Sequence, residues 1–194
     1  MTTDNQTRKP ASSLTLPLPA DTEAWLKSTI VDVPDYPKPG IIFKDITTLL
    51  GNGPAFKYVT DILTQKAADL KVDVIAALES RGFIFGTPVA NALGIGFVPI
   101  RKPKKLPRAV KRTRYKLEYG MDAIEVHCDA VKPGQRTLLL DDLLATGGTA
   151  RAGQRLLTRI GANVVGTGFV IELSFLGGRR KLMSGPDTFS ILTY

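Results

Sequence analysis

Apolar positions follow two rhythms along the chain. Short, nearly unbroken apolar runs of strand length occur at 72–78, 97–100, 137–140, 163–173 and 189–192. Between them, apolar residues recur every three or four positions, as Phe56, Val59, Ile62, Leu63, Ala67 and Leu70 do over 54–70. The same spacing predicts helices over 86–93 and over 149–160, the latter with Leu156, Leu157 and Ile160 inward and Gly161 as its stop. A first helix is expected over 22–30, capped by Ala20-Asp21 and turning Trp25, Leu26 and Ile30 to the core. Buried strands that alternate with helices predict an α/β fold, with a central, mainly parallel sheet flanked by helices.

Some segments break the rhythm. Residues 1–20 are polar, then rich in Ser and Pro, and read as a loose tail ahead of one domain over 21–194. Pro34, Pro37, Pro39 and Gly40 predict an extended loop. Ile41, Ile42 and Phe43 follow it, an apolar patch that is either core or a stacking wall for a flat heterocycle. Residues 101–114 are dense in cations, with a return strand expected over 124–128, and 175–181 reads as a basic turn.

The polar chemistry gathers where the strands end. After Leu138–Leu140 come Asp141 and Asp142, then the small-residue loop Ala145-Thr146-Gly147-Gly148-Thr149 leading into a helix. In an open α/β sheet, ligands bind beyond the carboxyl ends of the strands, and phosphates bind at the helix N-terminus that follows. Two glycines let the backbone approach a phosphate closely, and the threonines add hydroxyl donors. The paired acids suit the hydroxyls of a ribose diol or a hydrated Mg²⁺. Neither a P-loop nor a dinucleotide-binding glycine pattern is present. At the end of the 72–78 run, Ser80, Arg81 and Gly82 offer backbone N–H groups and a guanidinium, which suit a pyrophosphate.

Composition narrows the function. At 194 residues the chain suits one domain, and it has no apolar run of the roughly 20 residues that a membrane helix needs. Its N-terminus lacks an apolar signal-peptide core. One cysteine, Cys128, cannot form an internal disulfide, which suits a reducing cytoplasm, and it reads as packing or surface. The single histidine, His127, has no neighbouring ligand for zinc and reads as structural. The formal charge of +8 fits either nucleic acid or a polyanionic small substrate. The block from Arg101 to Lys116 beside the strand-end loops favours the substrate, as a mobile lid that neutralises it and excludes water.

The stretch Thr137 to Ala150 closely resembles the 5-phosphoribosyl-1-pyrophosphate (PRPP) motif of the type I phosphoribosyltransferases. Four further stretches resemble the adenine-specific branch of that family. They are Pro37-Lys-Pro-Gly-Ile-Ile-Phe43-Lys44, Glu79-Ser-Arg-Gly-Phe-Ile-Phe-Gly86, Arg101-Lys-Pro-Lys-Lys105-Leu-Pro107 and Tyr115-Lys-Leu-Glu118-Tyr119-Gly120. The resemblance implies a single Rossmann-like domain with a base-binding hood near 33–50 and a flexible lid near 101–120. It implies that Ile42, Phe43 and Lys44 form the adenine pocket, Phe43 stacking on the base. Lys44 replaces an arginine found in some members, which keeps the charge but loses the planar fork.

By the same resemblance Ser80, Arg81, Arg101, Lys105 and Tyr119 bind the pyrophosphate. Asp141 and Asp142 hold the ribose, and Ala145, Thr146, Gly147, Gly148 and Thr149 cradle the 5′-phosphate. Glu118, Arg101 and Lys105 are the catalytic residues it implies. Mg²⁺ is the implied cofactor, with no direct protein ligand; PRPP holds it, and Asp141 reaches it through water. A homodimer without membrane or nucleic-acid partners is implied as well. The competing functions are transfer to another base such as xanthine, a PRPP-sensing regulator that binds nucleic acid, and a PRPP synthase-like enzyme, with direct RNA binding by the basic face a further alternative. The first is opposed by the Phe43 stretch and Glu118, the second by the lack of room for a helix-turn-helix domain, and the third by the lack of an ATP site.

Overall fold

The computed structural model describes residues 16–116 and 120–194. The chain divides into two compact units, Met1–Phe56 and Lys57–Tyr194. The first contains helix α1 (Ala20–Ser28), a hairpin of β1 (Val31–Pro34) and β2 (Ile42–Asp45), and the short α2 (Thr47–Gly51). Helix α1 starts earlier than expected because the carbonyl of Pro19, not an Ala-Asp cap, accepts the first N–H groups, those of Thr22 and Glu23. Its buried residues are Thr22 and Leu26, one turn apart, so Trp25 is only half-buried. Ile30 is buried but lies beyond the helix. The proline-rich stretch is less extended than expected, since Val31–Pro34 pairs antiparallel with Ile42–Asp45 around it. Residues 1–15 of the expected tail lie outside the described residues.

Helix α3 (Gly53–Asp69) leads into the second unit and buries Val59, Ile62, Leu63 and Ala67, while Phe56 and Leu70 at the ends of the stripe are half-buried. Next come β3 (Val74–Leu78), α4 (Arg81–Leu93), β4 (Gly96–Ile100), a hairpin of β5 (Val110–Lys116) and β6 (Met121–His127), and β7 (Arg136–Leu144). Helix α5 (Gly148–Arg159), β8 (Asn163–Glu172), the short 3₁₀ turns Ser174–Leu176 and Gly178–Lys181, and β9 (Asp187–Thr193) complete it. The five-stranded sheet has the order β4-β3-β7-β8-β9, and every pairing in it is parallel.

Every residue of β3 is buried, as a strand covered on both faces requires. Helix α4 lies on the face of Ile75 and Ala77, and α5 on the face of Leu78 and Leu139. The second face is filled by Val98, Ile100, Ile124, Val126, Leu156 and Leu157, so hairpin β5–β6 shares one core with α5. From β3 the chain proceeds to one edge of the sheet, and from β7 it proceeds to the other. The strand order therefore reverses between β3 and β7, and a crevice opens beyond their carboxyl ends.

Two elements run longer than expected. Helix α4 begins at Arg81 rather than near 86, because Gly82 and Gly86 weaken the helical signal of the sequence. Both glycines lie where α4 is pressed on the sheet, since a Cβ on Gly82 would stand 2.8 Å from the Leu140 carbonyl and one on Gly86 2.9 Å from Ala77. Strand β7 does not end at Leu140 but continues through both acids, with Leu143 opposite Ile171 and Leu144 opposite Glu172. The lid segment is in part a regular hairpin, Val110 to Lys116 pairing antiparallel with Met121 to His127.

Candidate active site

The crevice between β3 and β7 holds a cleft of about 250 Å³. Glu79, Ser80 and Arg81 line it from the end of β3, Asp141 to Leu144 from β7, Ala145 to Gly147 from the loop, and Gly148 to Ala150 from α5. Lys102 completes the lining. Gly147 precedes α5 with φ +77°, a conformation that suits glycine, and no side chain caps the helix. The first N–H groups of α5 therefore face the cleft unclaimed by a side chain, as an anion site requires.

A second loop backs this one. A Cβ on Gly147 would stand 2.4 Å from the Gly178 carbonyl oxygen, and a Cβ on Gly178 would stand 2.1 Å from the Ala145 carbonyl oxygen. The 3₁₀ turn at Gly178–Lys181 thus fixes the height of the Ala145–Gly147 loop. Gly178 escapes sequence reasoning because a Gly-Gly pair before basic residues reads as an ordinary turn. A second Gly pair beside the first is the signal that was there to use.

The two acids occupy different surroundings. Asp142 is buried and accepts an ion pair from Arg81 Nε at 2.6 Å. Asp141 is half-buried, and its Oδ1 accepts the Asp142 backbone N–H at 2.9 Å. Burial pushes the Asp141 carboxyl well above the usual range, and the neighbouring charge of Asp142 adds to this. Burial also raises Asp142, although Arg81 opposes the shift. The pair therefore binds a proton more readily than two isolated aspartates do.

Glu79 joins Ser80 through a cis peptide bond and lies on the cleft wall. It accepts Arg101 Nε at 3.2 Å, Arg101 Nη2 at 3.0 Å and the Lys102 backbone N–H at 2.8 Å. Burial alone would raise its carboxyl; the hydrogen bonds from Arg101 and Lys102 prevail and hold it below the usual range. Arg101 is thereby turned onto Glu79, and its Nη1 donates to the Lys105 carbonyl at 3.2 Å. Neither Arg101 nor Lys105 lines the cleft, whereas Lys102 does. Lys102 Nζ is ion-paired with Asp122 and donates to Tyr115 Oη at 3.1 Å. In a block of so many cations, spacing alone did not single it out. Glu118 and Tyr119 lie outside the described residues.

Ile42, Phe43 and Lys44 belong to the first unit. Ile42 is 57% exposed, so this patch is a surface and not core. Phe43 is half-buried and meets Tyr36 edge to face, with ring centroids 5.3 Å apart. Lys44 Nζ pairs with Asp32 at 2.7 Å across the hairpin. Tyr36, which sequence reasoning left in a loop, is the second ring of this wall. Away from the cleft, Cys128 is exposed, and His127 Nδ1 is buried with no hydrogen-bond partner among the described residues.

Comparison with known proteins agrees with this geometry. A phosphoribosyl transferase domain model matches residues 45–183. The adenine phosphoribosyltransferase of Solibacter usitatus is 56% identical over 169 residues, covering 87% of this chain and 97% of that protein. The chain belongs to the adenine phosphoribosyltransferase family. The enzyme of that name from Rhizobium johnstonii is 58% identical over 162 residues, covering 84% of this chain and 90% of the relative. A crystal structure of the Thermoanaerobacter pseudethanolicus family member superposes with a TM-score of 0.84 at 47% identity, covering 89% and 99% of the two chains. The Saccharomyces cerevisiae member, crystallised with an imino-altritol bisphosphate and adenine, gives 0.83 at 38% identity, covering 90% of this chain and all of that one. The type I phosphoribosyltransferase fold is thereby established for this chain.

Proposed function

We propose that the chain transfers the 5-phosphoribosyl group of PRPP to adenine, forming AMP and releasing pyrophosphate, as a step of purine salvage. The observation that carries this reading is the β7–α5 junction, where a carboxylate pair and an uncapped helix N-terminus face one cleft. That arrangement suits a ribose diol attached to a 5′-phosphate. Asp141 and Asp142 accept the ribose hydroxyls, and Ala145 to Thr149 donate to the phosphate. Ser80 and Arg81 bind the pyrophosphate, and the Arg81–Asp142 pair links the two halves of the substrate site. Arg101, Lys105 and Tyr119 act from the lid side.

The C1–O bond to pyrophosphate breaks as N9 of adenine bonds to C1, and the oxygen keeps the electron pair. Cations on the pyrophosphate side stabilise the departing charge. Glu118 takes up or shares the imidazole proton of adenine. Phe43 stacks on the purine, with Ile42 and Lys44 at its edge, and the exposed Tyr36–Phe43 wall supports such a role.

The donor set fits a Mg²⁺ carried by the substrate. Asp142 is paired with Arg81, and Asp141 accepts the Asp142 backbone N–H, so both acids have partners within the protein. A Mg²⁺ carried by PRPP would supply charge neutralisation at the leaving group, and Asp141 would help to hold it through water. We infer a cytoplasmic homodimer; no helix among the described residues is long and apolar enough to cross a membrane.

The test is a base panel. Purified protein with PRPP and Mg²⁺ is given equal concentrations of adenine, hypoxanthine, guanine and xanthine, and the nucleotides formed are separated. AMP as the dominant product supports the reading; preferred formation of any other nucleotide overturns the adenine assignment.

A further inference from the structure

A second concentration of positive charge lies beside α5. Arg151, Arg155 and Arg159 recur at four-residue spacing and so share one face of the helix, which carries no acidic residue. Like charges at that spacing repel, and Arg151 stands near the N-terminal end, where the helix dipole disfavours a cation. A helix serving only to pack the sheet gains nothing from this pattern.

Strand β5 brings a further arginine to the same place. Arg114, Arg151 and Arg155 line a pocket of about 300 Å³ with Thr113, Tyr115 and Met121. Among the described residues no carboxylate lines it, and of those residues only Gly148 also lines the first cleft. The neighbouring cations are engaged. Arg112 is ion-paired with Glu125, and Arg159 Nη1 donates to the Arg112 carbonyl at 3.2 Å, fastening β5 to the end of α5. Arg151 Nη1 donates to the Lys181 carbonyl at 2.9 Å, which orients its guanidinium. Arg114 and Arg155 form no ion pair with a described residue, and both are exposed. Three guanidiniums thus surround one concavity.

We propose that this pocket is a second anion site, distinct from the PRPP cleft, that takes the oligophosphate group of a small ligand. Its volume suits two or three linked phosphates, and planar guanidiniums bind phosphate oxygens in pairs. The phosphates come either as a free oligophosphate or as the tail of a nucleotide. A bound phosphate chain bridges β5 and α5.

Calorimetric titration with inorganic tripolyphosphate tests the site in the full chain. The wild type binds two equivalents, one in each cleft. Arg114→Ala/Arg155→Ala binds one, with the lost site weakened at least tenfold. Steady-state turnover with PRPP and adenine is read on Arg155→Gln, whose residue lies outside the lid, and stays within about twofold of wild type. Arg155→Gln alone serves as a milder second variant and gives an intermediate affinity. ADP in place of tripolyphosphate distinguishes the sources, since tighter binding of ADP at the second site marks a nucleotide ligand. Equal stoichiometry and affinity in wild type and both variants overturns the proposal. So does binding of single-stranded RNA that depends on these arginines when tripolyphosphate fills only one site. The stoichiometry is read without turnover, so failure of the transferase reading would leave this result standing.

Discussion

Gly178→Ala probes the loop proposed to seat the 5′-phosphate without altering a residue proposed to contact the substrate. The added methyl carbon would stand 2.1 Å from the Ala145 carbonyl oxygen and 2.9 Å from the Gly147 nitrogen, whereas ordinary contacts begin near 3.4 Å. Both obstructing atoms are backbone, so no side-chain rotation relieves the clash. The loop and the turn must separate by about 1 Å or more. Overpacking of this kind costs about 1–3 kcal/mol. Because the loop borders the open cleft, much of the displacement falls on the phosphate seat. At about 1.4 kcal/mol per decade, the KM for PRPP rises about ten- to a hundredfold.

The remainder of the cost appears as a Tm lower by about 2–4 °C for each kcal/mol. AMP carries the same 5′-phosphate, so its inhibition constant rises in parallel. Pyrophosphate, which does not reach this loop, inhibits with unchanged strength. Gly51→Ala is the control, since a Cβ there meets nothing within 4 Å. A Gly178→Ala enzyme with wild-type affinity for both PRPP and AMP would refute the claim that this turn supports the loop.

Two carboxyl substitutions should shift stability with pH in opposite directions. Asp141 is raised above its unfolded value, so the folded wild type holds an extra proton and loses stability as pH rises through that window. Asp141→Asn lacks this loss; by thermal unfolding it is more stable than wild type at neutral pH and converges with it in acid, while its PRPP turnover collapses. Glu79 is lowered, so its contribution is present above the ordinary glutamate range and lost as pH falls through the folded value. Glu79→Gln therefore lowers the neutral-pH Tm, by about 1–2 kcal/mol of stability, and the difference vanishes in acid. It also raises the KM for PRPP more than that for adenine, because Arg101 loses the carboxylate that orients it.

The sheet was legible because burial on both faces forces continuous apolar runs, as in Val74–Leu78, and because β-strands and helices demand different spacings. The loop ahead of α5 was legible because its two glycines and small residues mark a tight turn into a helix N-terminus. Other features hid for identifiable reasons. Gly82 and Gly86 begin α4, but they are there for close packing on β7 and β3, which no local pattern announces. Asp141 and Asp142 look like the end of a strand, yet pairing with β8 carries β7 on to Leu144. Lys102, one cation among many, is distinguished from Arg101 and Lys105 only by long-range partners: Asp122 and Tyr115 for it, Glu79 for Arg101. The Tyr36–Phe43 wall required the hairpin that brings the two rings together across the proline-rich stretch.

The most direct measurement is AMP formation from adenine and PRPP by wild type and by Asp141→Ala/Asp142→Ala, with folding checked by circular dichroism. The account predicts Mg²⁺-dependent AMP synthesis in the wild type and its loss, by at least a hundredfold in kcat/KM for PRPP, in a folded double variant. A folded double variant that makes AMP at the wild-type rate would show that the cleft between β3 and β7 is not where the ribose is held.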